Sequence, residues 1–126
     1  MRIARDVFDR IVRQEAARVI DALPAALREK ASLVAILTAD WPTPEQAESF
    51  DERDDIVGIY EGVSLVDRRV DDSATLPDRI TLFRIPIAES CANIDEAREE
   101  IRRTILHELG HFFGFEELEL EERGLR

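Results

Sequence analysis

A chain of 126 residues, 44% of them apolar and 36% charged, has the size and composition of one ordinary folded domain, too short for two cores. Its formal charge of −11, from 28 acidic against 17 basic residues, repels phosphate backbones and anionic headgroups, so neither nucleic acid nor a membrane surface is expected as a partner. The single cysteine, Cys91, leaves no internal disulfide, and a reducing, cytoplasmic compartment is expected.

In residues 4–23 the apolar side chains of Val7, Phe8, Ile11, Val12, Ala16, Val19, Ile20 and Leu23 recur at steps of three and four, which predicts an amphipathic helix. Arg2, Arg5, Asp6, Asp9, Arg10 and Arg13 break the same stretch, so it has neither the apolar core of a signal peptide nor that of a membrane span. Pro24 interrupts the helix, and a short helical turn through Arg28 follows. The apolar run SLVAILT at 32–38 predicts a buried strand. Residues 40–55 are mostly polar and read as a loop with one helical turn starting near Pro44, in which Trp41 could line a pocket but is expected rather as a packed anchor.

Gly58 and Gly62 flank Ile59, Tyr60 and Glu61, and Val63, Leu65 and Val66 follow, a pattern of short strands or a hairpin. Tyr60 is expected to serve as packing rather than as an oxyanion donor. Residues 79–87, RITLFRIPI, alternate as a strand does. Because Pro86 cannot donate to a ladder, that strand should end there or lie at a sheet edge. In the edge position it would rim a cleft and pair with an extended substrate, and an ordinary core strand is the equal alternative. Asn93 or Asp95 can cap a final helix with the stripe Ile101, Ile105, Leu109 and Phe112, which Gly114 would stop. The elements together predict an α+β fold in a single domain spanning residues 1–126: an N-terminal helix, a short sheet and a C-terminal helix.

That last helix carries His107-Glu108-Leu109-Gly110-His111 within ILHELGHFFGFEE. Residues four apart on a helix are offset by about 40° after a full turn, so both imidazoles leave one face and can meet one ion. His107 and His111 are the only histidines, and random placement at this spacing with a glutamate second has a probability of about one in 500. Chance is therefore a poor explanation. Two imidazoles and a carboxylate suit one Zn²⁺ with a position open to water, and Glu108 is then the general base of a hydrolase acting on peptide bonds.

A third ligand must come from beyond the helix. If the helix ran on, residue 117 would point well away from the two histidines; a left-handed turn at Gly114 lets the chain reverse and brings Glu117 into range. Glu116, Glu119 and Glu121 are local rivals, and Glu61 is a distant one. Cys91 would close the shell if it were a fourth ligand, but a buried thiol is the commoner state.

The stretch HELGHFFGFEE resembles the metzincin pattern HExxHxxGxx followed by a third ligand, with Glu117 where that clan usually has His or Asp. The methionine turn of that clan has no counterpart, since the only methionine is Met1. A closer resemblance is to the small bacterial zincin-like metallopeptidases, the minimal zincins. It is carried by GIYEGV at 58–63, LPDRITLFRIPI at 76–87 and EIRRTILHELGHFFG at 100–114. The resemblance implies an α+β zincin core around the HExxH helix, a zinc-dependent peptidase acting on a peptide or protein substrate, and an acidic third ligand, which supports Glu117. The competing expectation is a non-catalytic, metal-stabilised binding module, motivated by how little protein is left to build specificity pockets.

Overall fold

The computed structural model describes residues 1–50, 56–67 and 77–115. Along these the chain forms α1 (Arg5–Asp21), α2 (Ala25–Ala31), β1 (Ala35–Ala39), α3 (Pro44–Glu48), β2 (Gly58–Glu61), β3 (Arg79–Phe83), α4 (Arg84–Ser90) and α5 (Ile94–Phe113). The strands make one mixed sheet in the order β1-β3-β2, with β1 parallel and β2 antiparallel to β3. The α+β class expected from the sequence is what forms.

Helix α5 owes its start to Asn93, whose side chain accepts the Glu96 N–H at 2.9 Å, while the Glu96 carboxylate accepts the Ala92 N–H at 2.6 Å. Asp95 and Glu96 also place negative charge where the helix dipole favours it. The α5 stripe of Ile101, Ile105, Leu109 and Phe112 is fully buried, with Phe8, Ile11, Val12 and Val19 of α1 and Ile80 and Leu82 of β3 in the same core. At about 1.5–3 kcal/mol for each large side chain taken from water, this layer fixes α5 against the sheet.

Three expectations are corrected. The run 79–87 is strand only to Phe83, and Pro86 is the third residue of α4, where its missing N–H has no helical carbonyl to meet. The chain turns there because the Ile85 N–H goes to the Asp40 carbonyl at 3.1 Å and the Arg84 guanidinium is held by Asp40 Oδ1 and the Ile3 carbonyl at 2.9 and 2.8 Å. β3 is therefore the centre of the sheet rather than an edge, and it offers no rim to a substrate. β1, expected as a buried strand, is an edge strand among the described residues, with Leu37 45% exposed. Of the two readings for residues 58–66, a short strand rather than a hairpin forms: β2 pairs with β3, in the register Tyr60 to Ile80.

Trp41 is not a packed anchor either. It is 56% exposed and lines a cavity of about 470 Å³ with Arg5, Asp40 and Arg84. Among the described residues, no helix is long and apolar enough to cross a membrane.

Candidate metal centre

The last two turns of α5 put the imidazoles of His107 and His111 side by side, ring centroids 4.7 Å apart and planes crossed at 87°. Their Nε2 atoms are 3.1 Å apart. Two nitrogens bound at about 2.0–2.1 Å to one tetrahedral ion must lie about 3.3–3.4 Å apart, so the pair is already spaced to share a cation. Glu108 completes a cluster whose ligand atoms all lie within 4.8 Å of one another. Imidazole nitrogen with carboxylate oxygen is a donor set that zinc accepts.

Glu108 faces inward and is 8% exposed. Burial pushes its carboxyl up to about 7, opposed by a hydrogen bond from the Tyr60 backbone. Its Oε2 has no hydrogen-bond partner among the described residues, which leaves Oε1 as the acceptor of the Tyr60 N–H. A buried carboxylate oxygen left unsatisfied is costly. That cost is readily understood where a cation or a transferred proton is the missing partner.

The direction of the Tyr60 N–H follows from the ladder. Phe83 donates to the Val57 carbonyl at 2.9 Å, so by the alternation of an antiparallel pair Val57, Ile59 and Glu61 face β3 while Gly58 and Tyr60 point outward. Among the described residues β2 is thus the sheet edge beside α5, and Tyr60 spends its outward N–H on Glu108. The Tyr60 ring packs edge-to-face on Phe112, with centroids 5.9 Å apart, and its hydroxyl donates to Asp78 Oδ1 at 2.7 Å. The packing role expected of its side chain is what the structure shows.

Gly114 ends α5 in the left-handed region, φ +84°. Its own N–H goes to the His111 carbonyl at 3.0 Å and that of Phe115 to the Gly110 carbonyl at 2.9 Å, which satisfies the final carbonyls. Glu117 lies outside the described residues, as do its rivals Glu116, Glu119 and Glu121. Glu61 is engaged elsewhere: Oε1 accepts from Gln46 at 2.7 Å and Oε2 pairs with Arg79 at 3.2 Å. Cys91 is a buried free thiol before the start of α5, and the thirteen residue steps from Ile94 to His107 span about 20 Å of helix. It is no fourth ligand to this cluster.

Two participants escaped the sequence reading. The Tyr60 backbone donor and the Asp78 carboxylate that holds its hydroxyl are long-range pairings, and no local pattern announces either. No curated protein matches the chain. The model of the zincin-like metallopeptidase family matches residues 31–125, and the chain belongs to that family.

Proposed function

We propose that the protein is a zinc-dependent peptidase in which His107, His111 and Glu117 hold the ion and Glu108 is the general base. The observation that carries this is the pair of Nε2 atoms 3.1 Å apart beside a buried carboxylate with one oxygen that has no partner among the described residues. When bound, zinc supplies Lewis acidity and lowers the pKa of water to near 7. The family match supports the same chemistry.

The work of the chain's own residues follows from their positions. The Tyr60 N–H fixes Glu108 through Oε1, so Oε2 takes a proton from the attacking water and returns it to the leaving amine nitrogen. Water is kept from the inner side of the base by buried Leu109, Phe112 and Phe113.

The deciding experiment compares wild type with Glu108→Gln on a peptide library. Zinc content should be equal and hydrolysis should fall by about 10²–10⁴-fold. Equal cleavage by the two proteins would remove Glu108 from the role of base.

A further inference from the structure

We propose that Asp78 is a positioning residue for Glu108, acting through Tyr60 to hold the edge strand where its outward N–H meets the base; this rests on the peptidase reading only for its catalytic consequence. Asp78 lies just before β3 and is 6% exposed. Oδ1 accepts the Tyr60 hydroxyl at 2.7 Å and the Val63 N–H at 3.1 Å, and the Asp78 backbone carbonyl accepts the Ala35 N–H at 3.0 Å. One buried residue thus ties the end of β2 and the start of β1 to the root of β3.

The turn after β2 is shaped around that carboxylate. Gly62 has φ +151°, and a Cβ there would collide with Asp78 Oδ1 and crowd the Tyr60 hydroxyl. Only a residue without a side chain lets the chain close so tightly, and the closure delivers the Val63 N–H to the same oxygen that holds Tyr60. A carboxylate this buried is tolerated only when donors satisfy it, and bonds to an ionised acceptor are the stronger kind.

Tyr60 is consequently fixed at three points. Asp78 holds its hydroxyl, Phe112 packs against its ring, and Ile59 and Glu61 on either side are paired to β3. None of these contacts is with Glu108. Together they determine the direction of the remaining N–H, and hydrogen bonds weaken steeply once misaligned. If the hydroxyl is released, the ladder of Ile59 and Glu61 stays while the peptide between them is free to tilt.

The test is amide hydrogen exchange on the full chain, resolved at Ile59, Tyr60 and Glu61, for wild type, Tyr60→Phe, Asp78→Asn and the double variant. Tyr60→Phe removes one hydroxyl and leaves the core intact, so it reports even if the Asp78 variant folds poorly. Protection at Tyr60 should fall at least about tenfold in each single variant, with Ile59 and Glu61 unchanged and the double variant no worse than the singles. On a peptide that wild type cleaves, kcat should fall about 10–100-fold with KM within about twofold.

Unchanged protection at Tyr60 overturns the proposal. So does equal loss at all three amides, which would mean that Asp78 merely supports the strand. If wild type cleaves nothing in the library, the peptidase reading falls, and the exchange pattern still decides whether Asp78 sets the Tyr60 donor.

Discussion

Leu65 donates its backbone N–H to the carbonyl of Phe112 at 2.9 Å, so the segment leaving the edge strand closes the last turn of the helix that carries both histidines. The contact continues one residue on, where a Cβ added to Gly114 would strike both methyls of Val66. The end of α5 is therefore shaped from outside the helix as well as by its own backbone.

Replacing Gly114 with alanine imposes two separate penalties. A side chain at φ +84° costs about 1–2 kcal/mol, and the collision with Val66 adds to it. Urea denaturation should show a loss of about 2 kcal/mol or more, part of which returns when Val66 is also made alanine. Zinc affinity should fall in the single variant because the chain beyond the helix is redirected. Unaltered stability would mean that the turn is not the constraint described here.

Zinc removal should lower the melting temperature without unfolding the chain. The core of α1, α5 and the sheet is assembled from Phe8, Ile80, Ile101 and Phe112, and none of these needs an ion. An ion that binds only the folded state stabilises it by about 2.7 kcal/mol at a hundredfold excess over Kd. The difference between zinc-loaded and chelated protein should vanish in His107→Ala and in His111→Ala. Complete unfolding on chelation would make the ion structural and favour a metal-stabilised binding module instead.

What the sequence disclosed follows the range of the forces involved. Helix α5, its capping region at Asn93 or Asp95 and its Gly114 stop show in the local sequence, and with them the paired histidines; the structure decides the cap for Asn93. Helix α4 was hidden because RITLFRIPI alternates throughout, and the turn at Arg84 depends on Asp40 and Ile3, which are distant in the chain. β1 looked buried because SLVAILT is apolar on both faces, whereas edge or centre is decided by the pairing of whole strands. No local pattern marks Asp78 or Glu15, and only tertiary packing makes them buried carboxylates.

Asp40 sets an acid limit on stability. Its carboxyl is lowered from the ordinary 3.8 to about 2, first by the hydrogen bond from Arg84 and then by that from Arg5. A carboxyl with a depressed folded-state pKa contributes stability above its unfolded value, and that contribution is lost as pH falls through the folded one. Between pH 4 and pH 2 wild type should therefore lose stability more steeply than Asp40→Asn. Parallel acid-unfolding curves for the two proteins would show that the Arg5, Asp40 and Arg84 cluster contributes nothing.

Glu15 and Arg98 provide a test away from the metal cluster. Glu15 is 3% exposed, and its Oε2 accepts from Arg98 at 2.9 Å and from Arg18 at 3.0 Å, across the packing of α1 on α5. Arg98→Met leaves the buried carboxylate with only the exposed Arg18, which should cost about 1–3 kcal/mol in urea denaturation. Arg18→Met, acting on the exposed side of the cluster, should cost well under about 1 kcal/mol. Combining Glu15→Leu with Arg98→Met should recover most of the loss, because an apolar pair of similar volume replaces a buried ion pair at little net cost. Zinc affinity should stay constant across the series; if it moved with stability, the two ends of α5 would be coupled and the cluster would not be the independent unit its contacts describe.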